Sequence, residues 1–191
     1  MSDAEATDPA ADPADAIPLG EAEPFRRHPA SLWPEVLLEQ CEVETGRAGG
    51  PGGQHRNKVE TRVVVTHGPT GAIGEGSESR SQKRNHAAAV QRLRVNLALS
   101  LRGDGLADRR VRELIERRAA DGLKVSDSHA DWPTVLAAVL DECELERWDV
   151  KAVAGRLGVS PSRVVRVLKV EPRAHTLLNR ERTARGLRPL R

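Results

Sequence analysis

Val63, Val64 and Val65 stand together between Thr61 and Thr66, and Gly68-Pro69-Thr70-Gly71 follows them. A β-branched run closed by turn residues predicts a strand over 61–66, with 72–76 as the return strand. Upstream, within 34–45, Cys41, Val43 and Thr45 alternate with Glu42 and Glu44, the pattern of a strand with one wet face. Ser81 suits a helix N-cap, and Ala87, Val90, Leu93, Leu97 and Leu101 then recur at intervals of three and four. A small sheet covered by one amphipathic helix is the expected core, and the expected class is α+β.

The second half reads as helices. A charged helix over 106–120 has Leu106, Val111, Leu114 and Ile115 as its apolar side, and Gly122 stops it. Pro133 suits a first helical turn, ahead of an apolar face of Val135, Leu136, Val139 and Leu140. Asp149 caps a helix to Leu157, Gly158 turns the chain, and Ser160-Pro161 opens the next helix. This is a helix-turn-helix pattern, with Val153, Leu157, Val159, Val164 and Val167 as the shared core, Ala154 at the close approach, and Ser162, Arg163 and Arg166 facing outward. The expected organisation is an acidic disordered tail over 1–29, an α+β unit over 30–102, a helical linker over 103–130, a helical unit over 131–176 and a basic tail over 177–191.

Charge sharpens this division. The net charge of +2 conceals −7 over 1–24, +6 over 46–95, −4 over 96–150 and +9 over 151–191. Two basic blocks separated by acidic ones suit a polyanion touched at two places. No apolar run approaches a membrane span, and the N-terminus lacks a secretion signal pattern, so a cytoplasmic protein is expected. Cys41 and Cys143 form no CxxC pair and read as reduced thiols. The histidines show no ligand spacing, so neither metal nor cofactor is expected. Ser126-Asp127-Ser128-His129 reads as a turn segment, because a hydrolytic triad is assembled in space and not from sequence neighbours. Trp33, Trp132 and Trp148 are expected to be buried against helices.

The most informative segment is Gly52-Gly53-Gln54. Adjacent glycines let the main chain approach another molecule closely and expose its N–H groups. Gln54 then adds an amide that does not titrate, suited to holding a water or stabilising an oxyanion but not to acting as a strong base. Arg47, His55, Arg56 and Lys58 crowd the loop, as phosphate contacts would. The phosphate loop GxxxxGK[ST] is absent, and so is the dinucleotide fingerprint.

The stretch Gly50-Pro51-Gly52-Gly53-Gln54-His55-Arg56-Asn57-Lys58-Val59-Glu60-Thr61 resembles the GGQ domain of class I peptide chain release factors. So do Thr66-His67-Gly68-Pro69-Thr70-Gly71 and Glu78-Ser79-Arg80-Ser81-Gln82-Lys83-Arg84-Asn85. The resemblance covers roughly residues 35–100. It implies a loop that enters the ribosomal peptidyl-transferase centre and promotes attack of water on the peptidyl-tRNA ester. Gly52 and Gly53 would shape that loop and Gln54 would be catalytic. Its backbone N–H would stabilise developing negative charge, its side chain would position water, and it would be the target of any N-methylation. The chain departs from the family at Gly49, where Ser is usual, and at Arg56, where a small apolar or amide residue is usual.

Only about 45 residues precede the loop, with no codon-reading tripeptide in a folded context. The resemblance therefore implies a monomeric, stand-alone, codon-independent factor that rescues stalled ribosomes. Its partners would be ribosomal RNA and peptidyl-tRNA in the peptidyl site. The expected RNA contacts are Arg47, His55, Arg56, Lys58, Arg80, Gln82, Lys83 and Arg84, and, in the second basic block, Arg163, Arg166, Arg180, Arg182, Arg185 and Arg188. Two alternatives stand beside this reading. One is a non-catalytic ribosomal RNA-binding or assembly factor that docks through the same loop. The other is a DNA-binding regulator built on the helix-turn-helix.

Overall fold

The computed structural model describes residues 27–47 and 61–191. Residues 1–26 of the acidic tail expected over 1–29, and the loop residues 48–60, lie outside them, whereas Pro29 opens a short 3₁₀ turn, Pro29–Ser31. The sheet has the order β1-β2-β3, with β1 Cys41–Gly46, β2 Arg62–His67 and β3 Ile73–Gly76, and both pairings are antiparallel. A short α1, Pro34–Leu38, takes the first part of the 34–45 segment, and β1 begins at Cys41, where the alternation begins. The long helix α2, Gln82–Ser100, starts at Ser81, whose hydroxyl accepts the Arg84 N–H at 3.4 Å. After it come α3 Arg109–Ala119, α4 Trp132–Leu145, α5 Val150–Leu157, α6 Pro161–Val170 and α7 Pro172–Ala184. The α+β class holds.

β2 alternates as its sequence demands: Val63, Val65 and His67 are buried under α2 while Arg62, Val64 and Thr66 face away. β3 crosses α2 without side chains between them. A Cβ on Gly74 would sit 2.1 Å from the Ala89 carbonyl oxygen, and one on Gly76 would sit 2.1 Å from that of Asn85. Glycine at these two positions lets strand and helix backbones touch. β1 differs from its expectation, because α2 covers only β2 and β3. Val43, on the face that should be covered, is 43% exposed, and only Cys41 is half-buried.

α2 is buried on more than the expected stripe. Ala89, Val90, Leu93, Val95, Leu97 and Ala98 are all inside, because the sheet packs on one side and α4 on the other, whereas Ala87 is exposed. α4 is the central helix, buried at every residue from Trp132 to Cys143 rather than along one face. Its polar residues are satisfied. Asp141 accepts the Gly103 N–H at 2.9 Å, and Glu142 accepts the Leu106 N–H at 3.1 Å and pairs with Arg156. These bonds hold a 3₁₀ turn, Gly105–Ala107, where the sequence pattern suggested the start of α3. Burial also pushes the Cys143 thiol up to about 12.

One hydrophobic cluster runs from Ala30 through the sheet, α2, α3 and α4 to Leu178 on α7. The α+β block, the 103–130 segment and the helical block thus share a single core. Arg94 of α2 staples it: its guanidinium donates to the Ala30 and Ala130 carbonyls at 3.1 and 3.0 Å and to the Thr134 hydroxyl at 3.1 Å. The helix-turn-helix forms as its sequence suggests. Gly158 takes a left-handed φ of 67°, and Val153, Ala154, Leu157, Val164 and Val167 are buried. Residues 177–184, read as the start of a tail, belong instead to α7, where Leu178 is fully buried. Trp132 and Trp148 are buried, and Trp33 is 61% exposed, against expectation.

Two buried groups titrate in opposite senses. His28 accepts the Ala30 N–H on Nδ1 at 3.1 Å, so Nε2 carries the proton and donates to the Leu101 carbonyl at 3.3 Å. Burial, aided by Arg102 and opposed by the Leu101 carbonyl, lowers its pKa to about 4. Burial raises Asp141 to about 6, against the pull of the Gly103 N–H and Arg102. Between pH 6.5 and 4 the unfolded chain binds a proton at His28 that the native state refuses, so this group costs stability as pH falls. Between pH 3.8 and 6 native Asp141 keeps a proton that the unfolded chain releases, so this group costs stability as pH rises.

In urea denaturation, His28→Asn should therefore gain on the native protein as pH falls from 6.5 to 4, and Asp141→Asn should gain as pH rises from 4 to 6. Each gain should reach about 3 kcal/mol at 1.36 kcal/mol per pKa unit. Differences that do not change with pH contradict the assignment. Gly74→Ala should cost about 2 kcal/mol or more in the same assay, because its methyl group meets helix backbone that cannot swing aside.

Candidate functional site

Gly52, Gly53, Gln54, His55, Arg56 and Lys58 lie outside the described residues. The fold nevertheless determines where their loop begins and ends. Gly46, the last residue of β1, is paired with Arg62, the first of β2. The chain therefore leaves the sheet at Arg47, which is exposed, and re-enters at Thr61 at the same end of the sheet.

That end is clamped by two sets of polar contacts. Arg62 donates to both carboxylate oxygens of Glu75 on β3, at 2.7 and 2.9 Å, which holds the Glu75 carboxyl below its usual range. Asn85, 1% exposed on the first turns of α2, donates from Nδ2 to the Thr61 carbonyl at 2.5 Å and to the Ser79 carbonyl at 2.8 Å. Its Oδ1 accepts the Ser79 N–H at 2.8 Å. One buried amide thus ties the return point of the loop to the β3–α2 connection and to the start of α2. The bare backbone of Gly76 lies against Asn85, which brings β3 into the same clamp. Sequence reasoning placed Asn85 in a motif but assigned it no role. The available signal was an amide four residues after the capping Ser81, on the side of α2 that faces the sheet.

The Glu78–Asn85 motif divides by direction. Glu78 pairs with Arg92 at 2.6 Å, and Ser79, Ser81 and Asn85 build the connection and the cap. Arg80, Gln82, Lys83 and Arg84 are exposed. Because Asn85 joins their helix turn to Thr61, these four side chains sit at the end of the fold from which the loop departs. No acidic residue occupies the first turn of α2, whose unpaired N–H groups add positive potential there.

The second motif, Thr66–Gly71, lies elsewhere. His67 is at the opposite end of β2 from Thr61, roughly 20 Å away for a strand of this length. It is fully buried, joined through Nδ1 to the Thr70 hydroxyl at 2.7 Å and through Nε2 to Gln40 Oε1 at 3.0 Å, and burial lowers its pKa. With Gly71 at a φ of 69°, it builds the β2–β3 turn. The motif therefore serves the hairpin.

The basic residues of the second block do not act alike. Arg166 is exposed on α6, but Arg163 is not outward as expected. Its guanidinium lies against Gly122, where an added Cβ would come within 2.9 Å of Nε. Arg182 donates to the Trp148 carbonyl at 2.6 Å and to the Arg188 carbonyl at 2.9 Å. Arg185 pairs with Glu181 at 2.6 Å and approaches Glu144 at 3.4 Å. Arg180 pairs with Glu181 at 3.2 Å and is mostly exposed, and Arg188 is exposed. The last residues fold back on α7, because Asn179 exchanges two hydrogen bonds with Leu190, at 2.7 and 3.0 Å. Ser126, Asp127, Ser128 and His129 bond among themselves and to neighbouring backbone as a turn; the His129 ring contacts Arg118 and the Asp131 N–H rather than a serine hydroxyl.

Residues 34–127 match the family described as the RF-1 domain. The chain is 48% identical over 63 residues to peptide chain release factor 1 of Caldicellulosiruptor saccharolyticus, covering 33% of this chain and 18% of that protein. It is 40% identical over 90 residues to the release factor 1 of Methylibium petroleiphilum, covering 46% and 24%. Against that of Symbiobacterium thermophilum it is 44% identical over 64 residues, covering 34% and 18%. The chain spans a quarter or less of the length of these curated relatives. The matched segment contains the paired strand ends, the Asn85 clamp and the Gly-Gly-Gln triplet between them, and it is this half of the chain that is similar to the class I peptide chain release factors.

Proposed function

We propose that this protein hydrolyses the ester of peptidyl-tRNA on stalled ribosomes without reading a stop codon. The observation that carries the reading is the placement of the triplet. Gly52-Gly53-Gln54 is strung between Gly46 and Arg62, two residues paired across one end of a sheet that is itself clamped to α2. A loop whose two ends are held side by side by a rigid base suits delivery of a small chemical group into a confined site.

In this reading Gly52 and Gly53 let the main chain approach the ester. The Gln54 N–H donates to the oxygen on which negative charge develops, and its side chain orients the attacking water. Gln54 exchanges no proton, so the ribosome and the tRNA supply the remaining catalysis. Arg47, His55, Arg56, Lys58, Arg80, Gln82, Lys83 and Arg84 contact ribosomal RNA around the loop, and Arg166, Arg180 and Arg188 contact it through the second block. Those contacts position the protein without reading sequence. After the matched domain, α4 to α7 share the core of α2 and hold their cations in a fixed relation to the loop root. The protein acts as a cytoplasmic monomer. Among the described residues no helix is long and apolar enough to cross a membrane.

Release of labelled peptide from ribosomes stalled on a messenger without a stop codon tests this. Gln54→Ala should lower the release rate by about 10²–10³ while ribosome binding persists, the usual loss for one oxyanion donor. Equal release by the two proteins would leave a docking role and reject the catalytic one. Asn85→Ala should slow release while Gln54 is intact, and in urea denaturation it should cost about 2–3 kcal/mol for the backbone groups it orphans.

A further inference from the structure

Trp33 is the exposed aromatic side chain among the described residues, since Trp132 and Trp148 are each 1% exposed. It precedes α1 as the N-cap residue, but its side chain makes no capping bond. The Arg110 guanidinium lies over its ring, 4.6 Å from the centroid. An indole that keeps 61% of its surface in water while a cation covers one face must present the other face to solvent. Leaving so large an apolar ring uncovered forgoes burial that most tryptophans obtain.

The surroundings select the partner. Arg110 stands in the first turn of α3, which contains no acid, and its backbone N–H is fixed at 2.8 Å by the capping Asp108. The other carboxylate oxygen of Asp108 holds Arg27 at 3.2 Å, and Arg27 remains 60% exposed. Arg109, 80% exposed, reaches Glu113 at 3.4 Å. Asp108 and Glu113 thus each hold one of these cations and Glu35 adds an acid on the first turn of α1, while the Arg110 guanidinium is the cation set over the ring. Cations beside an open aromatic face match the two halves of a nucleotide: phosphate for the guanidinium groups and a base for the ring. An acidic peptide would use the charges and leave the ring idle.

We propose that Trp33 and Arg110 form a stacking site for an unpaired RNA base, with Arg27 and Arg109 taking the adjoining phosphates. The site is at the Cys41 end of β1, opposite the end from which the glycine loop departs, and it does not depend on the chemistry of that loop. It gives the protein a second grip on RNA, through α1 and α3, at a place where net charge per block gives no sign of one.

The test is titration of the full chain with a fluorescently labelled single-stranded oligoadenylate of about twelve nucleotides at about 50 mM salt. Anisotropy and tryptophan quenching are read together. Quenching by the RNA is expected, because only Trp33 is accessible to a base. Trp33→Ala should abolish the quenching and weaken binding by about tenfold or more. Trp33→Phe should retain most of the affinity, and Arg110→Ala should weaken binding. Binding by Trp33→Ala as tight as native, or no quenching, overturns the proposal. It is also overturned if removal of residues 1–24 is by itself sufficient to open Trp33 to iodide, since the acidic segment would then be the occupant.

Discussion

β3 and α2 meet backbone to backbone, and the geometry of the loop root follows from that contact. Side chains at positions 74 and 76 would drive strand and helix apart by more than either backbone could absorb. With glycine at both, the start of α2 comes close enough for one buried amide, Asn85, to reach Thr61 and Ser79 at once. An unpaired buried carbonyl is costly, so this amide is held by the groups it satisfies as firmly as it holds them. The Arg62–Glu75 pair alone would be a weak substitute, being partly exposed and screened.

A rigid root matters for a chemistry carried by a residue that does not titrate. A group of unchanging charge contributes only through where it is placed, so in the proposed reaction the protein's share would lie in the precision of that support. The single core has a similar consequence for the rest of the chain. Arg94 and α4 join the helical half to the sheet half without a hinge between them, and Asn179 holds the C-terminal residues against α7. The cations of the second block are thereby presented as a surface at a set distance from the loop root, rather than as a trailing strand.

Much of this was legible in the residues. The valine run, the turn at Gly68-Pro69, the Ser81 cap and the α5–α6 pair follow from local rules, and local contacts satisfy them. What eluded sequence reading was decided by tertiary packing. Val43 alternates correctly but is left in water because α2 does not extend over β1. Asp141 and Glu142 look like surface charge on α4, yet they are buried because the 103–106 backbone supplies their donors. Arg163 turned inward against a glycine that periodicity does not register, and α7 ran on through arginines that resembled a tail. The candidate site was legible as a motif, but the amide that secures its root became visible only once strand and helix were seen to touch.

The most direct examination of the account is electron cryomicroscopy of the full chain on a ribosome carrying peptidyl-tRNA. The account predicts residues 47–60 at the acyl-bearing end of the tRNA, Gln54 beside the ester, and Asn85 still bound to Thr61. A bound state with the Gly46–Arg62 end of the sheet turned away from the tRNA would contradict it.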